Sequence, residues 1–580
     1  MLARLIFVAV LFSGPLTAAS GRTHANIVEV WWNLTPVNNV NPDARFPRQV
    51  FGVNGSWPPP PLDVQQNDFL IVHAKNFLPA PATLHHHGMF FNSTTWQDGA
   101  LGVTECGIPS NGGEATYQIA INASGQFGTY WVHSHAPGQY IDGLRAPLVI
   151  HATKEAYTYD DEFTVILGDW YHETHAVLIK QYISTSNPTG AEPVPDSALI
   201  YFAHKGAYLG PKAGTSPKTG SSVGFNVNAT LPFEPGKTYR LRIINTSAFA
   251  KFIFYIDGHD MRLIEADGTD IEEFQIFPLS VSVAQRYSVL VTARPYADAN
   301  FAIHADMDPS MFNTIPPTLI TNSTASITYN PALPVTNLGR VDVFPDVPDI
   351  RLVPLKVVPA PAPNRQITLQ ANFSLMTDGT NRAMFNNITY NSPLVPAVLS
   401  ELTLGNNATV AGAYGPTSFV LNHLDVIDLV VQNADTGAHP FHIHGHKFQI
   451  VQRSSNFSSK DPSVITTANL HNPLARDTIL IESGGSATLR FVADNPGTWF
   501  FHCHIEWHLE AGLAVQLIEA PQIAQRFVSN LPRQIRSNCK ALGEPTSGNA
   551  AGHASVTDLR GLPPRAVPCV INLQLDKFTR

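Results

Sequence analysis

Charged residues are scarce in this 580-residue sequence: Asp, Glu, Lys and Arg together make up only 14% of it. Helix-rich chains usually carry more Glu and Lys, so the scarcity argues for sheets. Net charge is −9 and no long basic run occurs, which argues against a nucleic-acid partner and against a positive membrane-binding patch. Beyond the first 20 residues, no apolar run approaches the ~20 residues needed to span a bilayer. The sequence ends on the polar stretch 576–580, so a soluble mature chain is expected. Cysteine is rare too. Of Cys106, Cys503, Cys539 and Cys569, Cys503 sits between two histidines and reads as a metal ligand. Three then remain, enough for one internal bridge and one leftover thiol, with the pairing open.

What is abundant is punctuation. The 46 prolines and 39 glycines break up short runs of β-branched and aromatic residues at 68–74, 163–167, 239–244, 287–292, 426–431 and 487–492. Such runs, bounded by Gly, Pro, Asn and Asp, predict strands, and their serial recurrence predicts several β-sandwiches. At about 150 residues per domain the length suggests three or four. The Pro-rich stretch 353–363 reads as a linker, and a second boundary falls near 151–160. The expected division is 1–20 as a signal peptide, then domains at 21–155, 156–350 and 351–580, the last with a C-terminal extension. The signal reading rests on Arg4, the apolar stretch 5–12 and the small residues at 16–20. Sequons at Asn33, Asn92, Asn228, Asn387 and Asn407 agree with secretion, to the cell wall or beyond.

Four histidine pairs share one spacing: His85 and His87, His133 and His135, His442 and His444, His502 and His504. On a strand, residues i and i+2 share a face; on a helix they diverge by about 200°. One such pair would be ordinary, but four supply eight imidazoles from four segments. A zinc site needs only three or four ligands, so eight fit a multinuclear centre. None of the pairs lies in the middle third, which places the metal between the first and last domains. Strand parity turns His439 and Cys503 away from the neighbouring pairs, and His508 follows in the turn. One thiolate with two imidazoles is the set of a blue-copper electron-transfer site. Ten residues after Cys503 stands Leu513, which cannot coordinate; the missing axial donor favours reduced copper and a raised potential.

The stretches 84–89, 128–135, 439–446 and 502–508 together resemble the multicopper oxidases, the family of laccases, ascorbate oxidases and fungal ferroxidases. The resemblance covers nearly the whole chain after residue 20. It implies an all-β fold of three cupredoxin-like Greek-key sandwiches and four copper ions. Type 1 copper would take His439, Cys503 and His508; type 2, His85 and His442; the type 3 pair, His87, His133, His135, His444, His502 and His504. His86 and His446 would pack beside the ligands. Asp98 and Glu506 match carboxylates that deliver protons during reduction of dioxygen to water. Cys106 would bridge to Cys539, leaving Cys569 unassigned.

The segments 187–195, 385–390 and 434–439 resemble the iron-oxidising branch, in which a Glu and an Asp beside the type 1 histidines bind iron; these fall on Glu192 and Asp435. Against iron stand Asn313 at a further iron-site Asp, Leu355 at a Tyr, and the expected lack of the C-terminal anchor of the iron-uptake enzymes. A loop at 207–224 rich in Gly, Ser and Lys reads as a surface insertion. The favoured donor on the sequence is therefore a small phenol or naphthol, in pigment or aromatic metabolite formation. Fe(II) is the alternative. A copper electron carrier without oxidase activity comes last, since a carrier needs no eight-histidine cluster.

Overall fold

The computed structural model describes residues 26–210, 229–341 and 343–562. The signal-like segment, most of the 207–224 loop, Asn228 and Cys569 lie outside the described residues.

Each of the six expected strand runs lies within a strand or overlaps one closely. Their alternation explains why. In Phe69–Asn76 and Val426–Asn433 every second residue is buried, the signature of a strand with one face on a core. Leu70, Val72, Leu429 and Val431 are those inward residues. The strands assemble into three successive pairs of sheets. The first pair holds two four-stranded sheets, ordered Arg48–Val53, Ile27–Val40, Phe69–Asn76, Gly113–Ile119 and Leu62–Gln65, Arg145–His151, Gly128–His133, His85–His87. The second pair runs from Asp161–Trp170 to Val335–Thr336 and has one seven-stranded and one six-stranded sheet. The third, from Arg365–Leu375 to Ala514–Glu519, has one of seven and one of five. Non-consecutive neighbours, such as Ile27–Val40 running parallel to Phe69–Asn76, mark crossovers rather than simple hairpins. The Pro-rich stretch 353–363 is not free: Ala360 N–H donates to Leu470 O at 2.9 Å, which lays it along the third unit.

Two pairings position the histidines. His85–His87 runs antiparallel to Gly128–His133 with His85 opposite His133. His439–Ile443 runs antiparallel to Gly497–Cys503, setting His442 opposite His502 and Phe441 opposite Cys503. Short helices cover the ends, and Cys539 in Arg533–Ala541 is bonded to Cys106, tying a segment 433 residues away to the first unit. This is the pairing that the resemblance implied. No helix among the described residues is long and apolar enough to cross a membrane.

Candidate metal centre

Only the first pair of histidines lies wholly within a strand. The other three straddle a strand end: His133, His442 and His502 are in strands, while His135, His444 and His504 lie just beyond. The i, i+2 geometry persists across the ends, with rings 5.7, 5.8, 4.9 and 5.5 Å apart within the four pairs. The result is one cluster of eight imidazoles between the first and third units. Within it, His87, His133 and His504 converge, as do His135, His444 and His502, and His85 and His442 close the remaining side.

A metal fits this cluster because its inward nitrogens have nothing else to bind. His85 Nδ1–H donates to Asp98 O at 2.7 Å, His133 Nδ1–H to Ser134 O at 2.9 Å and His442 Nδ1–H to Asp477 O at 2.9 Å. These bonds fix the tautomers and aim the Nε2 lone pairs inward. Buried, those Nε2 atoms have no hydrogen-bond partner, nor has His87 Nδ1 or either nitrogen of His504. His502 Nε2 stands 3.1 Å from His444 Nε2 and 3.4 Å from His135 Nε2, close to the roughly 3.3 Å between two nitrogens sharing one ion at ~2.0 Å. Burial, reinforced by neighbouring imidazoles, pushes His87, His133, His444, His502 and His504 far below the ordinary histidine range. They are neutral, as ligands must be.

The second cluster is the expected trio. Cys503 Sγ lies 3.6 Å from His439 Nδ1 and 3.5 Å from His508 Nδ1, which are themselves 2.9 Å apart. His508 sits in the helical turn Glu506–Ala511. All three are buried, and burial pushes the Cys503 thiol far up, so it ionises only when a cation takes the proton's place. Leu513 is fully buried, and its carbonyl accepts from Cys503 N–H at 3.1 Å. On the outward edges stand two carboxylates. His439 Nε2–H donates to Asp435 at 3.1 Å, and His508 Nε2–H to Glu192 at 2.8 Å. Burial opposes ionisation of Asp435, but the His439 contact outweighs it and holds the group at about 2. Phe373 packs 5.7 Å from His439 and 4.9 Å from His508, and Phe249 lies 6.4 Å from His508.

Asp98 reaches the larger cluster, and Glu506 shares a cavity with one of its histidines, His135. Asp98 is fully buried and accepts from His444 Nδ1–H at 2.7 Å. Glu506 accepts from Gly138 N–H at 2.7 Å, and burial together with Glu510 pushes its carboxyl well above the usual range. Glu506, Glu510, Tyr390, Phe500 and His135 line a cavity of about 320 Å³. His86 and His446 join neither cluster. His86 is buried against Tyr117 and Phe91, and His446 lies 2.9 Å from Glu519. Asn313 is exposed beside Phe312, whose ring packs on Phe249; Leu355 is exposed at the surface.

The sequence reading missed Asp477. It is fully buried and accepts from His87 Nε2–H at 3.2 Å, while its main-chain oxygen holds His442. The available signal was an acidic residue at the head of the apolar strand Thr478–Ile481, where a charge needs a partner.

Multicopper oxidase family models match residues 35–155, 161–332 and 375–522. The chain belongs to the multicopper oxidases: it is an oxidoreductase that uses copper and dioxygen. It is 46% identical to the iron multicopper oxidase fer1 of Mycosarcoma maydis, over 95% of this chain and 90% of that one. Its structure matches that of Fet3p, a multicopper oxidase that functions in iron import, with a TM-score of 0.84 and 33% identity, covering 94% of this chain and all of that one. The laccase of Botrytis aclada matches with a TM-score of 0.75 and 27% identity, over 90% and 92% of the two chains.

Proposed function

We propose that this multicopper oxidase is a ferroxidase, taking electrons singly from Fe(II) and passing them to dioxygen. The reading carries the alternative of the sequence analysis over its phenol or naphthol preference. One observation supports it above the rest: the outward nitrogen of each histidine in the Cys503 cluster is capped by a carboxylate, Asp435 or Glu192. Carboxylate oxygen is a hard donor suited to Fe(II), and the hydrogen bond links it to the ligand ring. The iron-named relatives point the same way. Asn313 and Leu355 leave this pair of carboxylates in place.

Four copper ions are expected: type 1 at His439, Cys503 and His508; type 2 at His85 and His442; and the type 3 pair at the remaining six histidines. Copper held there supplies one-electron chemistry at the cysteine cluster and four-electron reduction of dioxygen at the histidine cluster. The chain does the rest. Asp435 and Glu192 bind the donor and orient the two rings. Cys503, bonded in sequence to His502 and His504, gives a short covalent route between the clusters. Asp98 and Glu506 are the carboxylates that would relay protons toward the histidines where oxygen is reduced. The assembled histidine cluster is what a simple electron carrier would not need. The signal-like N-terminus and the exposed sequon residues Asn33, Asn92, Asn387 and Asn407 support a secreted glycoprotein.

Oxygen uptake by the copper-loaded protein tests the proposal, with Fe(II) compared against a panel of phenols and naphthols. Fe(II) is expected to give the higher kcat/KM. Efficient phenol turnover with Fe(II) near background would restore the laccase-like reading.

A further inference from the structure

The middle unit supplies no histidine to either cluster, yet one of its side chains reaches the larger one. Arg286, first residue of the strand Arg286–Thr292, is fully buried. Its Nη1 and Nη2 donate to Asp477 Oδ1 and Oδ2, each at 2.6 Å, a two-pronged ion pair. Asp477 Oδ1 in turn accepts from His87 Nε2–H at 3.2 Å and from Thr478 Oγ1–H at 2.8 Å, and lies 3.5 Å from His442 Nδ1. The fork is itself fixed from two other directions. Arg286 Nε donates to Thr129 O at 3.0 Å, in the first unit, and its main-chain N–H donates to Asp267 at 2.9 Å, in its own. Asp477 belongs to the third unit, so this guanidinium joins all three.

The backbone leaves room for the pair. Gly88, directly after His87, has φ +86°, and a Cβ there would lie 2.8 Å from Asp477 Oδ2 and 3.0 Å from Arg286 Nη2. Only glycine admits both the turn and the ion pair.

We propose that Arg286 is a positioning residue for the metal centre. By locking both oxygens of Asp477, it fixes the ring and tautomer of His87 and the place of His442, so that the middle unit controls how firmly the histidine cluster keeps its copper. The inference rests on the ligand assignment above. An Asp477 without the fork could turn about its own side-chain bonds, and His87 could present either nitrogen. Lysine cannot replace the fork, because an ammonium is a point charge without paired planar donors.

The test is the rate at which a chelator strips copper from the histidine cluster of the loaded protein, read by total copper content and by the type 2 paramagnetic signal, with the blue absorption of the Cys503 site followed in parallel. Loss of an outer partner of a metal ligand usually weakens metal binding 10- to 100-fold. Arg286→Lys is expected to lose copper from the histidine cluster at least about 10-fold faster than wild type, with its blue absorption intact. Arg490→Lys is the control: Arg490 is also buried and makes a two-pronged pair with Asp428 at 2.6 and 2.8 Å, but neither residue bonds a group that holds a ligand. It should release copper at the wild-type rate. An unchanged rate in Arg286→Lys overturns the proposal, and so does equal acceleration in both variants. Should Arg286→Lys lose the blue absorption and with it the fold, Asp477→Asn decides: faster loss of copper from the histidine cluster with the blue absorption intact supports the proposal, and an unchanged rate overturns it. A wild-type protein without a type 2 signal would overturn the ligand assignment as well, which separates the two failures.

Discussion

Replacing Asp435 by Asn should make the cysteine cluster a stronger oxidant and yet a poorer acceptor of electrons from Fe(II). The carboxylate lies 3.1 Å from the outer edge of the His439 ring, whose inner edge faces Cys503 at 3.6 Å. Across the ring that places it roughly 6–7 Å from the centre of the cluster, where a unit charge at an effective dielectric of about 20 is worth about 2.5 kcal/mol. Asp435 is 23% exposed, so solvent should remove around half of this, leaving about 1–2 kcal/mol. Oxidation adds a positive charge to the cluster, and the anion stabilises that state. Its loss should therefore raise the one-electron potential by roughly 50–100 mV. If the carboxylate only tuned the potential, every donor would react faster. If it also binds Fe(II), kcat/KM for Fe(II) should fall about 10- to 100-fold, a loss of ~1.4–2.8 kcal/mol in transition-state stabilisation. Redox titration of the blue absorption gives the first quantity and oxygen uptake the second. A raised potential with faster Fe(II) oxidation would refute the reasoning.

Two further outcomes concern stability. His151 bridges Asp63 at 2.8 Å and Glu162 at 3.1 Å, joining the first unit to the second; burial lowers its pKa, but the two hydrogen bonds override this and raise it to about 9. The protonated form is the one stabilised, so its contribution is full below about pH 6.5 and disappears as pH rises through about 9, on the order of 1–2 kcal/mol after solvent screening. Denaturant unfolding across that range should show the slope in wild type and not in His151→Gln; parallel curves would contradict it. Cys539→Ser should lower stability by about 2–5 kcal/mol, since the bridge closes a very long loop, while the blue absorption stays, because Arg533–Ala541 carries no ligand. Thermal unfolding with the absorption followed in parallel checks both, and an unchanged midpoint would count against the bridge.

Much of this architecture is local and so was legible in the sequence. Alternation in 69–76 and 426–433 depends only on which neighbours are apolar. The division of eleven ligands into two clusters follows from strand parity at 439–444 and 502–504, and it survives even where the second histidine of a pair lies past the strand end. Asp477 and Arg286 were not legible, because they are 191 residues apart in sequence and neither is unusual until the other is beside it. The sequence alone leaned toward a phenolic donor for a related reason. Asn313 and Leu355 were weighed as missing parts, whereas the hydrogen bonds of Asp435 and Glu192 to the two ring edges exist only in the folded chain.

The donor is the central claim, and the two carboxylates make it directly testable. Fe(II)-driven and phenol-driven oxygen uptake should be compared in wild type and in Glu192→Ala/Asp435→Ala at matched copper content. The account predicts that wild type favours Fe(II) and that the double variant loses Fe(II) turnover by at least about 100-fold, while phenol oxidation holds or rises. Equal loss for both donors, or Fe(II) turnover that survives without the carboxylates, would contradict it.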